Sequence, residues 1–372
     1  MLNTRWRRQS RNCAVGMYPL ACAGALALAA GPALAQDNDT LKVVSWGGEY
    51  EESQRYAYFE PYTEKTGVEF EVYNYEGDFD RVIEQVEGGD VEWQLVDVTL
   101  ADAVRGCDGG YLEPIPPSIL QPAPDGTPPM EDFLPNTLHE CAVGLIIWST
   151  LFVYDVDQFD GDEQPASMED VFDTERFPGT RGFRRTARNT LEYALMGDGV
   201  APEDVYVELD TEEGVDRAFA KLDEIRDDIR WWEDGATPQQ WLTDGEVAMT
   251  TAYNGRAFHH IMEEDQNWEY IWDGQMLEFD LWAIPRGADN LSQILDFVAF
   301  STGTEPLAEQ TEVMSYAPAR RSSLPLVRDE YRSHLPTAPA NMRNALHNDF
   351  IWWAENQEEM DERFAAWLDA DE

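Results

Sequence analysis

Lysine is nearly missing from this chain: Lys42, Lys65 and Lys221 are the only three in 372 residues. All basic side chains number 26 against 73 acidic ones, for a formal net charge of −47. A surface this short of cations excludes partners bound through their phosphates, so nucleic acid and anionic membranes drop out. Histidine is scarce, with 5 residues, and cysteine has 4. There is no Gly-x-Ser-x-Gly elbow, no phosphate-cradling loop and no His-Glu-x-x-His helix, so the familiar hydrolase and nucleotide motifs are missing. Beyond Ala35 no apolar run reaches the ~20 residues of a membrane helix, which predicts a soluble mature chain. Internal repeats and low-complexity tracts are absent too.

What is present begins with an address. Arg5, Arg7, Arg8 and Arg11 precede an Ala-rich apolar stretch, and Gly31-Pro32 leads into Ala33-Leu34-Ala35. A basic segment, a short apolar segment and an Ala-x-Ala site in that order read as a secretory signal peptide, residues 1–35, and a periplasmic destination. Arg7-Arg8 is followed by polar residues, which argues against a twin-arginine signal. Cys22 sits too early for a lipoprotein. Cleavage leaves about 337 residues (372 − 35), enough for two domains, and a charge of about −51 once four arginines are gone. Folded chains with so acidic a surface repel themselves in dilute buffer and are screened in molar salt, so a halophilic source is expected. Cys13 and Cys22 leave with the signal. Cys107 and Cys141 remain, an even pair in an oxidising compartment, which predicts a disulfide, the alternative being two buried thiols.

The mature chain opens as strand–helix–strand–helix–strand. Leu41–Trp46 is apolar and ends in Gly47-Gly48, a helix is expected from about Glu51 to Thr66, and Val68–Tyr73 alternates as a strand does. Phe79, Val82, Ile83 and Val86 share a helical face, and Leu95–Val98 is a short apolar strand. That order predicts an α/β fold with a mainly parallel sheet. Val143–Tyr154 is an apolar run too long for an average strand, as expected of a chain crossing between domains. Thr211–Arg230 has the clearest helical period, with Asp210 and Glu213 as a capping pair. Trp268–Trp272 and Leu277–Ile284 read as two strands around Asp273-Gly274.

Chemistry-bearing clusters are few. His259 and His260 lie on a helix with Glu263 and Glu264, a metal-binding candidate that reads better as a solvated face. Asp155, Asp157, Asp160, Asp162 and Glu163 crowd a loop whose spacing does not fit an EF-hand. Arg181, Arg184, Arg185 and Arg188 cluster in an arginine-poor chain and suit either a ligand's acidic group or surface acids. Trp46, Trp231, Trp232, Tyr253 and Trp272 sit at element ends near Asn254, Asp273 and Asp280. Aromatic faces beside carboxylates make a cage for an organic cation.

From Leu41 to Leu368 the chain resembles the periplasmic solute-binding proteins of polyamine-type ABC transporters, the spermidine/putrescine group. The resemblance rests on Val43-Val44-Ser45-Trp46-Gly47-Gly48 and Val96-Asp97-Val98-Thr99. It rests further on Met249-Thr250-Thr251-Ala252-Tyr253-Asn254-Gly255-Arg256 and Asp280-Leu281-Trp282-Ala283-Ile284-Pro285. It implies a two-lobed periplasmic-binding-protein fold, type II-like, with the ligand cleft between lobes and closure by a hinge. Lobe 1 would hold 36–148 plus 277–318, and lobe 2 would hold 149–276 plus 319–372. It also implies a monomer that binds a small cationic solute, uses no cofactor or metal, and docks on a membrane permease without turnover. Trp46, Thr99, Tyr253 and Asp280 carry over as ligand contacts, with Trp272 added from the aromatic set. Two positions depart from the family pattern: Thr186-Ala187-Arg188-Asn189 stands where polyamine binders carry an acidic pair, and Glu278 replaces a tryptophan. With these changes the solute becomes a polyamine or, alternatively, a zwitterion (amino acid, opine or aminophosphonate) whose acidic group meets Arg188. A reading from another class is a secreted metal-assisted hydrolase using His259 and His260.

Overall fold

Leu41–Ser45 (β1) lies between two parallel partners, Phe70–Asn74 (β2) and Leu95–Thr99 (β3), in a computed structural model. The model describes residues 40–370 apart from 75–76 and 160–162. The signal peptide, Cys13, Cys22, Asp160, Asp162 and the side chain of Glu263 lie outside the described residues. A helix with a π-helical stretch at Arg55–Phe59 runs from Gly48 to Thr66 and closes on Gly67, whose left-handed φ of 81° caps it. Among the described residues no helix is long and apolar enough to cross a membrane.

Two strands are far longer than the rest, Ala142–Asp155 (β5, preceded by the short β4, Leu138–His139) and Trp268–Ala283 (β9). They run antiparallel along their whole length. Between them in sequence come Arg181–Arg184 (β6), Ile229–Trp232 (β7) and Met249–Tyr253 (β8). The sheet order is β2-β1-β3-β9-β5-β8-β6-β7, with Ala317–Pro318 (β10) beside β5 and Leu346–His347 (β11) beside β9. β3 pairs with the last part of β9, and β8 pairs with the last part of β5. The two ends of the β5–β9 ladder therefore belong to two different sheets' worth of parallel strands. β5 is buried on both faces, so its sequence is a continuous apolar run rather than an alternating one.

Two expected elements need correction. Trp268–Ala283 is one strand, not two: the register on β5 jumps between Thr150 and Phe152, and Gly274, at φ 71°, supplies the irregularity without a turn. The helix expected over 211–230 covers Glu212–Asp223, and Thr211 Oγ1 caps it by accepting from Gly214 N at 3.0 Å. Ile229 leaves the helical period because it pairs with Arg181 in the sheet.

Each lobe is a sheet covered on both faces. Phe59, Trp282 and Phe297 pack on one face of the first, and Val96, Val98 and Phe279 on the other. Phe152, Phe183, Leu191 and Trp353 fill one face of the second, and Leu151, Val153 and Trp268 the other. The helix Phe350–Asp369 docks on the second lobe through Trp352, Trp353, Met360 and Phe364. Ala319 and Leu335 pack in the first lobe's clusters, while Tyr331 and His334 pack on Phe258, so the segment 319–345 touches both lobes. Cys107, on the helix Leu100–Asp108, is disulfide-bonded to Cys141 ahead of β5, with Cα atoms 5.7 Å apart.

Candidate solute-binding site

The carboxyl ends of the parallel strands face the gap between the lobes, where ligands gather in open α/β sheets. Trp46 follows β1, and its ring lies so close to Gly77 that a Cβ there would sit 2.9 Å from it. Thr99 ends β3, and its hydroxyl is engaged as the N-cap of Leu100–Asp108, accepting from Asp102 N at 3.3 Å and donating to Asp102 Oδ2 at 2.9 Å. Opposite Thr99 in register stands Asp280 of β9. It is 5% exposed. Its Oδ1 accepts from the Trp148 indole N–H at 2.9 Å. Burial raises its pKa well above the ordinary carboxylate value, and the neighbouring Asp97 charge raises it further.

From Trp148 an aromatic row leads into the second lobe. Tyr253 stands edge-on to Trp148 at 5.2 Å, and Trp232 edge-on to Tyr253 at 6.0 Å. Two guanidiniums flank the row, Arg184 at 5.9 Å from the Trp232 ring and Arg256 at 6.0 Å from the Tyr253 ring. Among the described residues neither has an acidic group within ion-pairing distance. Tyr316 feels both Arg256 and Asp280, so a positive and a negative group stand at one phenol.

Arg188 and Glu278 meet each other. Arg188 Nη2 donates to Glu278 Oε1 at 2.6 Å, and Asn348 Nδ2 donates to the same oxygen at 2.7 Å. Arg188 reaches inward because the start of Ala187–Gly197 is not helical: Arg188 is extended and Asn189 is left-handed at φ 74°. Strain of this kind concentrates at functional sites. Behind the pair, fully buried Glu192 accepts from Trp353 at 2.7 Å and Tyr206 at 3.0 Å, and burial raises its pKa. A cleft of about 1550 Å³ opens beside this network, between the helix Leu100–Asp108 and Val207, Asn348 and Ile351, with Arg188 on its wall.

The other candidates separate. Trp272 stacks on Tyr270 at 4.7 Å in the outer cluster of the second lobe, so its contacts are with core rather than with the aromatic row. Trp231 packs on Phe364 and Trp367. Asp273 accepts from Met168 N and Asn344, and buried Asn254 bridges Ser149 N and Ser315 O at 2.9 and 2.8 Å. Arg181 is buried against backbone carbonyls, and Arg185 pairs with Glu233 at 3.2 Å. His259 lies 3.6 Å from Glu49 and His260 2.8 Å from Glu264, and among the described residues no three His, Cys, Asp or Glu side chains gather as a metal site. Trp148, Asp97, Arg256 and Tyr316 join the site without having been singled out by the sequence, although Asp97 and Arg256 lie inside two of its motifs.

Residues 57–337 match the model of a bacterial extracellular solute-binding protein family. A γ-aminobutyric acid-binding protein of Pseudomonas aeruginosa is 37% identical over 340 residues, covering 91% of this chain and 94% of its own. The chain belongs to the bacterial extracellular solute-binding proteins. The GABA receptor Atu4243 superposes with a TM-score of 0.78 at 27% identity, covering 90% of this chain and 99% of that one. AgtB from A. tumefaciens R10, in complex with agropinic acid, superposes with a TM-score of 0.74 at 27% identity, covering 89% and 98%. The fold is thus the two-lobed α/β architecture of this family, and the chain is a substrate-binding protein of an ABC importer. The polyamine-type resemblance narrows too far: spermidine/putrescine structures match at 16% identity, which shows the fold alone.

Proposed function

We propose that this receptor is exported by residues 1–35, works in the periplasm, and captures a small zwitterion of the γ-aminobutyrate kind for delivery to its permease without turning it over. The observation that carries the reading is Asp280, a buried carboxylate at the base of the site that has no ion-pair partner among the described residues. A buried acid in that state calls for a cation, and the solute's ammonium group supplies it. Trp148 and Tyr253 offer apolar surface to a short methylene chain. Arg256 stands on the far side of Tyr253 and Tyr316 to meet a carboxylate, and Arg184 extends the same positive side for a longer solute. Glu278 is already matched by Arg188, so that carboxylate is not open to the second ammonium of a polyamine. The two γ-aminobutyrate-binding relatives support the same solute class.

The test is titration calorimetry in about 2 M salt, where surface charge is screened. γ-Aminobutyrate is expected to bind, and putrescine and spermidine to give no heat. Asp280→Asn should weaken binding by about 2–5 kcal/mol, the cost of removing one member of a buried charge pair. Tight polyamine binding with no response to zwitterions would overturn the assignment.

A further inference from the structure

A second acid lies directly behind Asp280. Asp97 of β3 is in register with Trp282 of β9, as Thr99 is with Asp280, so the two acids are diagonal neighbours on one face of the sheet. Asp97 is fully buried, too deep to touch a solute. Tyr50 donates to its Oδ2 at 2.8 Å and Gln54 Nε2 at 2.6 Å, with the Gln54 oxygen held in turn by Ser45 at 2.6 Å. The Trp46 indole stands beside the same carboxyl. The Tyr50 phenol feels the charge of Asp280, so it stands near both carboxyls. The titratable and charged groups facing the pair are Tyr50 and Tyr58 from the Gly48–Thr66 helix, Glu278 on β9, and Tyr316 ahead of β10 with Arg256 beyond it. Two negative charges in so dry a place oppose each other. Burial pushes Asp97 up to about 7 and raises Asp280 as well.

We propose that Asp97 is a positioning residue that shares one proton with Asp280 in the empty receptor, and that an ammonium entering against Asp280 expels that proton to solvent. The inference rests on the proposed role of Asp280 toward the solute. The balance is simple. In the empty site one carboxyl and one carboxylate carry a net charge of −1. On capture the carboxyl O–H breaks, its proton leaves to the buffer, and the solute's N–H groups face the new carboxylate. Two carboxylates against one cation again carry −1. The Tyr50 and Gln54 donors on Asp97 hold it ionised in the loaded state. A solute without an ammonium has nothing to exchange for the proton, so the pair selects for a single positive charge.

Calorimetry of γ-aminobutyrate binding in two buffers of different ionisation enthalpy counts the protons. Close to one proton per solute is expected at about pH 6, with affinity rising about tenfold per pH unit until the pair has titrated. Asp97→Asn removes the charge that opposes ionisation of Asp280, so the count should fall and the affinity profile should shift to lower pH. A structural role alone would not move that profile. Binding with no proton released at any pH overturns the proposal and leaves the solute assignment standing. If γ-aminobutyrate does not bind, the assignment fails, and the empty protein decides this proposal by infrared spectroscopy. The wild type minus Asp97→Asn difference at about pH 6 should contain a protonated-carboxyl band, and its absence refutes the shared proton. Should Asp97→Asn not fold, Asp280→Asn serves in that difference and the wild-type proton count stands alone.

Discussion

Replacing Arg188 by methionine tests the electrostatic logic of its buried pair with Glu278. Glu278 is 4% exposed, and its Oε1 accepts from Arg188 at 2.6 Å and Asn348 at 2.7 Å. Among the described residues its Oε2 has no hydrogen-bond partner. Arg188→Met therefore leaves a buried carboxylate with one neutral donor, and removes a cation from buried Glu192 as well. Breaking a buried pair from one side costs about 3–5 kcal/mol. Glu278→Gln should cost less, about 1–2 kcal/mol, because the Arg188 side chain is 27% exposed and reaches water. Arg188→Met with Glu278→Gln together removes both charges, so the double variant should be more stable than Arg188→Met alone, with a coupling of about 2 kcal/mol or more. Urea unfolding at constant high salt measures all four proteins. An Arg188→Met protein within about 0.5 kcal/mol of wild type at neutral pH would refute the reasoning, as would strictly additive single variants.

Removing the Cys107–Cys141 bridge with a double alanine variant should lower stability by about 4 kcal/mol, from loop closure over a separation of 34 residues, and urea midpoints read it directly. A loss below about 1 kcal/mol would mean that the unfolded chain is not released by the change. The formal charge of −47 predicts a melting temperature that rises steeply between about 0.1 and 2 M salt, and a flat calorimetric series would remove the halophilic reading.

The outer strands are legible in the sequence because each is buried and exposed in turn or bounded by turn residues, as Phe70–Asn74 is. The crossing strands are legible only in part: Val143–Tyr154 shows as a crossing run, but β5 and β9 are covered on both faces and lose the alternation that marks a strand, so β9 reads as two pieces. Trp148 is invisible for the same reason: in an unbroken apolar run nothing sets apart the one ring whose N–H meets Asp280. Asp97 is hidden by number, one acid among 73, and only its register against β9 singles it out. Arg188 stands out in the sequence as one of few arginines, but its partner Glu278 lies 90 residues away and no period connects them. That pairing changes how the two departures from the polyamine pattern are understood. An arginine stands where an acid is expected, and an acid stands where a tryptophan is expected. Taken separately they suggest a site that has lost one anionic end and gained a stray charge. Taken together they cancel: Arg188 pairs with Glu278, and on the proposed reading Asp280, backed by Asp97, remains as the carboxylate for the solute. On the proposed reading, one buried acid at the solute and guanidiniums beside the aromatic row would suit one ammonium and one carboxylate, and a linear polyamine would leave its second ammonium near Arg256 or Arg184.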